Sequence, residues 1–309
     1  MNTHLSTPVH LRASSPAQLV ATLPYLFGFR PDESVIVLGL DGRRIDGAAR
    51  LDASVVLDAA FDPEVLRGRL ANVTCPPRLV IVVAWMDDVV AAGSAVTAAR
   101  DAIGRADMTV IVSGGRCQAD GGDWHDCPDG VTEAAEAGLT VLANRSQVAD
   151  IVAGPTGAGA AAAAKAWASI TQFVESRTLD ERRSRAKHLM AKGLTAPGAL
   201  TSGVCLELGA LARQGRVRDV MTAGLTRETA NSHVELWSAV VPEVPDEGAP
   251  AVLGLLGLAA WLAGDGALQM CCLERGLTID PGHSLLRLVE SINVMGVHPR
   301  EWAKVRRLR

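Results

Sequence analysis

The chain has little lysine, few aromatics and no long apolar run. Of its 30 basic residues only Lys165, Lys187, Lys192 and Lys304 are lysine, and with 34 acidic residues the formal charge is -4. That balance gives no general attraction to nucleic acid or anionic lipid. Aromatics are 4% of 309 residues, and tryptophan accounts for six of them. The cores must therefore be built from Leu, Val, Ile and Ala. No apolar stretch approaches the roughly 20 residues that cross a bilayer. The first residues lack the charged-then-apolar pattern of a secretory signal. A cytoplasmic protein with no membrane partner is the expectation. Six cysteines in a chain this long are not a disulfide scaffold. The GxSxG, HExxH and strand-linked GxGxxG signatures are missing.

What is present is an ordinary globular composition, 48% hydrophobic and 21% charged, at a length that predicts two domains. The first half alternates between two periods. Val9 to Arg12 reads as a short strand. Ser15, Pro16 and Gln18 then open a helix with a capping box and proline in the first turn. Leu19, Leu23, Leu26 and Phe27 form its apolar face, Gly28 is its stop, and Pro24 should kink it. Ser34 to Leu40 is a strand, Asp41-Gly42 a turn and Ile45 to Leu51 the returning strand. A helix follows from Asp62 to about Asn72. Arg78 to Trp85 is apolar on both faces, as a covered central strand must be. Helix Ala91 to Gly104 and strand Met108 to Ser113 complete an α/β pattern with a parallel crossover. Residues 1–152 are therefore assigned to an α/β domain with a mixed, at least partly parallel sheet.

Composition changes at Gly154 to Ala164. The stretch GPTGAG at 154–159 resembles a phosphate loop, but Ala160 and Ala161 stand where Lys and Ser/Thr are required. The nucleotide reading is rejected. From here the periodicity is helical, over about 160–193, 198–213, 226–240, 249–263, 267–278, 283–295 and 299–308. Residues 153–309 are assigned to an all-α domain. Within it, Leu256 to Pro281 has the Gly and Pro spacing of a tetratricopeptide-like hairpin, with Trp261 one position late for such a repeat. Read functionally this is a docking groove; read structurally it is an ordinary helical hairpin.

Three constellations could carry chemistry. Cys117, His125 and Cys127 bring thiolate and imidazole donors close in sequence, which suits a structural zinc, with Asp123 or Asp126 as a fourth ligand. Asp87 and Asp88 follow the strongest strand, where α/β folds place catalytic groups, and Asp52 could add a third carboxylate. The plainer role for Asp87 or Asp88 is to cap the next helix. Arg182, Arg183, Arg185 and Lys187 form one basic stretch, and Arg306 and Arg307 belong to a second. Either could meet nucleic acid or an acidic partner, or be a solvated face.

The segments SSPAQLVATLPYLFGFRPDESVIVLGL (14–40), CPDG (127–130) and AWLAGDGALQMCCLERGLTIDPGHSL (260–285) resemble the actinobacterial family known as domain of unknown function 4192. They occur in the family's order and span nearly the whole chain. The middle element departs from relatives, which carry a denser Cys-Cys-Pro-Pro-Glu-Gly run. The resemblance implies an actinobacterial or bacteriophage origin, in keeping with the arginine bias. It implies no activity and carries over no site residue. The leading expectation is a non-enzymatic interaction or regulatory protein, with the helical half as docking surface for a protein partner or a second copy. A metal-dependent hydrolase or phosphoryl-transfer enzyme, and a nucleic-acid-associated protein, are the alternatives.

Overall fold

A computed structural model describes residues 11–42, 44–64, 66, 67, 79–136, 141–295 and 297–302. Two compact units divide the chain, Met1–Arg145 with Val294–His298 and Ser146–Asn293 with Pro299–Arg309.

The first unit is built on a sheet of β1 (Ser34–Asp41), β2 (Arg44–Asp52), β3 (Leu79–Trp85), β4 (Met108–Ser113), β5 (Arg116–Ala119) and β6 (Trp124–Asp126), in the order β2-β1-β3-β4-β5-β6. Only β3 and β4 run parallel; the other neighbours are antiparallel. The mixed sheet is thus as expected. β1 and β3 are buried along almost their whole length, because β-branched residues occupy both faces of each. Val35, Val37, Val80, Val82 and Ala84 pack one face against Ala92, Ala95, Ala99 and Ala102. These four lie on α3 (Val89–Ile103), and small side chains let its axis approach the sheet closely. Helix α2 (Ala53–Val56) also covers this face through Ala53 and Val56.

Ile36, Leu38, Ile81, Val83, Val110 and Val112 line the other face, where Val20 and Leu23 meet them. These two lie on α1 (Pro16–Phe27), which begins as its sequence dictates. The Ser15 side chain accepts from the Gln18 N–H, Pro16 fills the first turn, and Gly28 ends the helix at φ 76. The helix runs through Pro24. The short strand expected at Val9 to Arg12 lies mostly outside the described residues; Leu11 and Arg12 are not in a strand.

β5 and β6 were not expected; 116–126 reads as a loop because both strands are short and polar. The turn carries the signal. Asp120 (φ 49) and Gly121 (φ 71) are both left-handed, and the Gly122 N–H donates to the Ala119 carbonyl at 2.9 Å. That is type I′ geometry, which Asp-Gly favours in hairpins. Two short helices follow, α4 (Thr132–Glu136) and α5 (Arg145–Ile151).

Among its described residues the second unit has no strand; it takes in α5 from Ser146 on, and then α6 (Gly157–Glu175), α7 (Leu179–Thr195), α8 (Ser202–Ala212), α9 (Gly215–Thr222), α10 (Ala230–Val240), α11 (Ala249–Ala263), α12 (Gly266–Ile279) and α13 (Ser284–Val294). One helix was expected over 160–193; there are two. Thr178 and Glu181 form a capping box that starts α7, and such a box is a helix beginning, not an interior. The centre of the unit is α11, buried on every side from Ala249 to Leu262. Gly264 (φ 84) turns the chain, and the Asp265 side chain caps α12 by accepting from the Leu268 N–H. A helical hairpin is therefore present at Leu256 to Pro281. A repeat that lines a groove needs a free face on its helices, and α11 has none.

Close helix approach here depends on glycine. A Cβ on Gly248 would come within 2.6 Å of Cζ2 of Trp167, and one on Gly276 within 2.6 Å of Cδ1 of Leu286. Gly93 in α3, by contrast, has nothing within 4 Å of its Cβ position. Gly248→Ala should therefore cost ~1–3 kcal/mol by overpacking, while Gly93→Ala should gain ~0.5–1 kcal/mol from helix propensity. Urea unfolding followed by tryptophan fluorescence checks both signs.

His233 on α10 is 2% exposed, and its Nδ1 is buried without a partner. Burial pushes its pKa down to about 4, from an unfolded value near ~6.5. The native state thus holds fewer protons than the unfolded one between these values. Stability is full above about pH 6.5 and falls as pH drops toward 4, with ~2 kcal/mol lost by about pH 5. His233→Leu should flatten the slope of unfolding free energy against pH across this window, whatever it does to stability at pH 7.

Candidate functional site

The carboxylates singled out from the sequence do gather at one end of the sheet. Ser34 pairs with both Asp52 and Trp85 across the ladders, so the end of β2, the start of β1 and the end of β3 lie side by side. The parallel register brings Val112 beside Trp85, and the Ser113 hydroxyl donates to the Asp87 carbonyl at 3.0 Å. The individual side chains, however, have local structural work. Asp88 is the N-cap of α3, its Oδ1 accepting from the N–H groups of Val90 at 2.8 Å and Ala91 at 3.1 Å. Asp52 pairs with Arg50 at 2.6 Å. Asp87 is exposed, and its N–H donates to Glu33 Oε1 at 3.2 Å. Among the described residues no three His, Cys, Asp or Glu side chains are grouped to hold a metal ion.

The Cys-His-Cys set is ordered by the unexpected hairpin. Cys117 on β5 pairs directly with His125 on β6. Cys127, two residues further on, therefore falls on the same face, and the Cys127 N–H extends the ladder by donating to Gly115 O at 2.8 Å. Cys117 is buried and Cys127 half-buried, both packed with the residues beneath α1. Burial, the neighbouring Cys117 thiol and the charge of Asp126 push the Cys127 thiol up to about 12. His125 stays exposed, facing a shallow depression that Ser15, Ala17 and Asp123 also line.

The arginines of the basic stretch on α7 are half-buried and hydrogen-bonded within the unit. Arg182 donates to Gln214 Oε1 at 2.8 Å and to the carbonyls of Arg177 and Glu175. Arg183 donates to the Arg216 carbonyl at 3.3 Å. Arg185 makes a two-pronged pair with Glu207, at 2.8 and 2.7 Å, and Glu207 is buried on α8. Lys187 remains exposed. These guanidinium groups tie α7 to its neighbours within the unit. Arg306 and Arg307 lie outside the described residues.

A feature missed from the sequence lies beside α1. A groove of about 1710 Å³ runs along that helix, with Leu26, Leu40, Leu79 and Met108 in its wall. Leu26 and Leu79 are 41% and 43% exposed. Arg12, Arg44 and Glu133 stand at its polar parts. The signal was available, since Leu26 continues the apolar face of a helix that has a sheet on one side only.

With this geometry described, the chain can be compared with known proteins. A family profile, Domain of unknown function (DUF4192), matches residues 16–300. The chain belongs to the DUF4192 family. Its match starts at the first residue of α1 and covers both units, so the family is defined by the sheet and the helices together. No curated protein and no solved structure matches the chain.

The role of Asp88 as a cap is testable. Asp88→Ala should destabilise the chain by ~1 kcal/mol, and Asp88→Asn by only a few tenths. Thermal unfolding of the two variants beside Asp87→Ala checks this ordering.

Proposed function

We propose that this DUF4192 protein acts by docking an apolar segment of another protein rather than by turning over a substrate. The observation that supports this is the groove beside α1. Its exposed leucines are an apolar wall in the sheet unit, and two arginines against one glutamate give its surroundings a basic bias. The matching ligand is an amphipathic segment with acidic flanks. The helical half was expected to carry the docking surface; the groove moves this proposal to the sheet unit. The arginine-rich composition supports an actinobacterial or bacteriophage source. That Cys117, Cys127, Cys205 and Cys272 are thiols supports a reducing compartment such as the cytoplasm.

The experiment is affinity capture from the native host, followed by reconstitution with each captured protein in pure form. Leu26→Asp combined with Leu79→Asp should weaken the reconstituted complex more than 100-fold. Phe173→Asp, at an exposed position of the helical unit, should leave it unchanged. Equal binding by the groove variant would refute the proposal. So would hydrolase or nuclease turnover by the wild type that Asp87→Ala with Asp88→Ala removes.

A further inference from the structure

We propose that the occupant of the groove beside α1 is a second copy of this chain, which offers the exposed start of its α3. The inference rests on the docking reading of the groove and supplies its partner.

The start of α3 carries apolar side chains where the fold does not use them. Val89 and Val90 open the helix, and Val90 is 80% exposed, more than any other large apolar side chain among the described residues. Helix formation does not ask for valine there, because β-branched residues lose rotamer freedom in a helix. The cap comes from Asp88 and the backbone N–H groups alone. Asp87 and Asp88 precede the valines, and both are exposed. Glu33 fixes the surroundings: its carbonyl accepts from the Ala53 N–H at 2.9 Å and its carboxylate from the Asp87 N–H at 3.2 Å. The start of α2 is thereby held to the same turn, and Val55 and Leu57 after it are exposed as well.

This is the chemistry that the groove selects. Its wall is apolar at Leu26, Leu40, Leu79 and Met108, and Arg12 and Arg44 outnumber Glu133 around it. Both arginines are exposed. The valines of one copy meet the apolar wall of the next, and Asp87 and Asp88 meet its arginines. Such a patch and groove cannot meet within one molecule. The groove holds Leu79, the first residue of β3, and opens on the face of the sheet that α1 covers. The patch follows the other end of β3 and belongs to the face that α3 covers. A strand of seven residues sets them about 20 Å apart along the sheet, with the sheet itself between. The contact is therefore head-to-tail. Each pairing leaves one groove and one patch free, and growth continues into a ring or an open chain.

The test is sedimentation of the full chain. Average mass should rise with concentration and pass that of a dimer between about 1 μM and 1 mM, the span of weak specific contacts. Leu26→Asp with Leu79→Asp removes the groove wall, and Val89→Asp with Val90→Asp removes the patch. Each should weaken association about 30-fold or more, as loss of a central apolar anchor does. Aspartate suits the first turn of a helix, so the patch variant keeps its fold, and circular dichroism checks both. Should the groove variant not fold, Arg12→Glu with Arg44→Glu, at exposed positions, replaces it. In an equal mixture the two variants should recover a complex of one copy each and nothing larger, because one retains its patch and the other its groove. Phe173→Asp should associate like the wild type. A wild type that stays monomeric throughout this range overturns the inference, as does association that survives in either variant, or a mixture that stays monomeric. The docking reading is decided separately, by whether the groove variant releases the proteins captured from the host.

Discussion

Two strands that are dry on both sides govern the first unit. β1 and β3 carry β-branched or other apolar residues on each face, so water must be excluded above and below the sheet. The cover is unequal. One face has α3 and α2, with Phe61 and Leu66 adding to it. On the other face α1 is the helix of the described residues that does this work. A single helix is about 10–12 Å across with its side chains, while six strands spaced about 4.8 Å apart span more than twice that. Apolar surface is left uncovered beside α1, and the groove is the direct result. Its width follows from strand count, and its apolar wall from the need to fill the sheet on both faces.

The helical unit solves a different problem. With so few aromatic residues, its interior relies on Leu, Val and Ala around α11, and on tryptophan at a few fixed places. Trp237 is fully buried. Trp261 and Trp302 meet edge to face at 5.9 Å, and the Trp302 indole N–H donates to the Leu225 carbonyl at 2.9 Å. Arg275 donates to the Val152 carbonyl and pairs with Asp246 at 2.7 Å, which holds down the glycine-rich stretch that imitates a phosphate loop. Glycines at 248 and 276 provide the space that Trp167 and Leu286 occupy.

Strong local patterns were legible in the sequence and distant partners were not. Val80 to Ala84 announced a central strand because both faces are apolar. Ser15 and Gln18 announced the start of α1, and Gly264 with Asp265 the hairpin turn, because each acts within four residues. β5 and β6 were missed because three or four polar residues give no alternation to read; only Asp120-Gly121 marked them. The partners of the basic run on α7 were not legible, because Glu207 and Gln214 lie 22 and 32 residues further along. Asp88 was correctly weighed as a helix cap, since that role depends only on the residues that follow it. Cys117, His125 and Cys127 were close in sequence, but their common face depends on the ladder register, which spacing alone did not reveal.

β2 has one strand neighbour among the described residues, and its other edge carries nine residues' worth of backbone groups. A strand edge without a partner among the described residues is one at which a foreign strand can pair. Arg44, Arg50 and Asp52 sit along it, with a register irregularity at Gly39/Leu40 on the strand it pairs with. An incoming strand would have to match alternating charge against a ladder that is out of step. Valine in place of the exposed Arg44 would remove one such charge and make the edge a better template for a foreign strand.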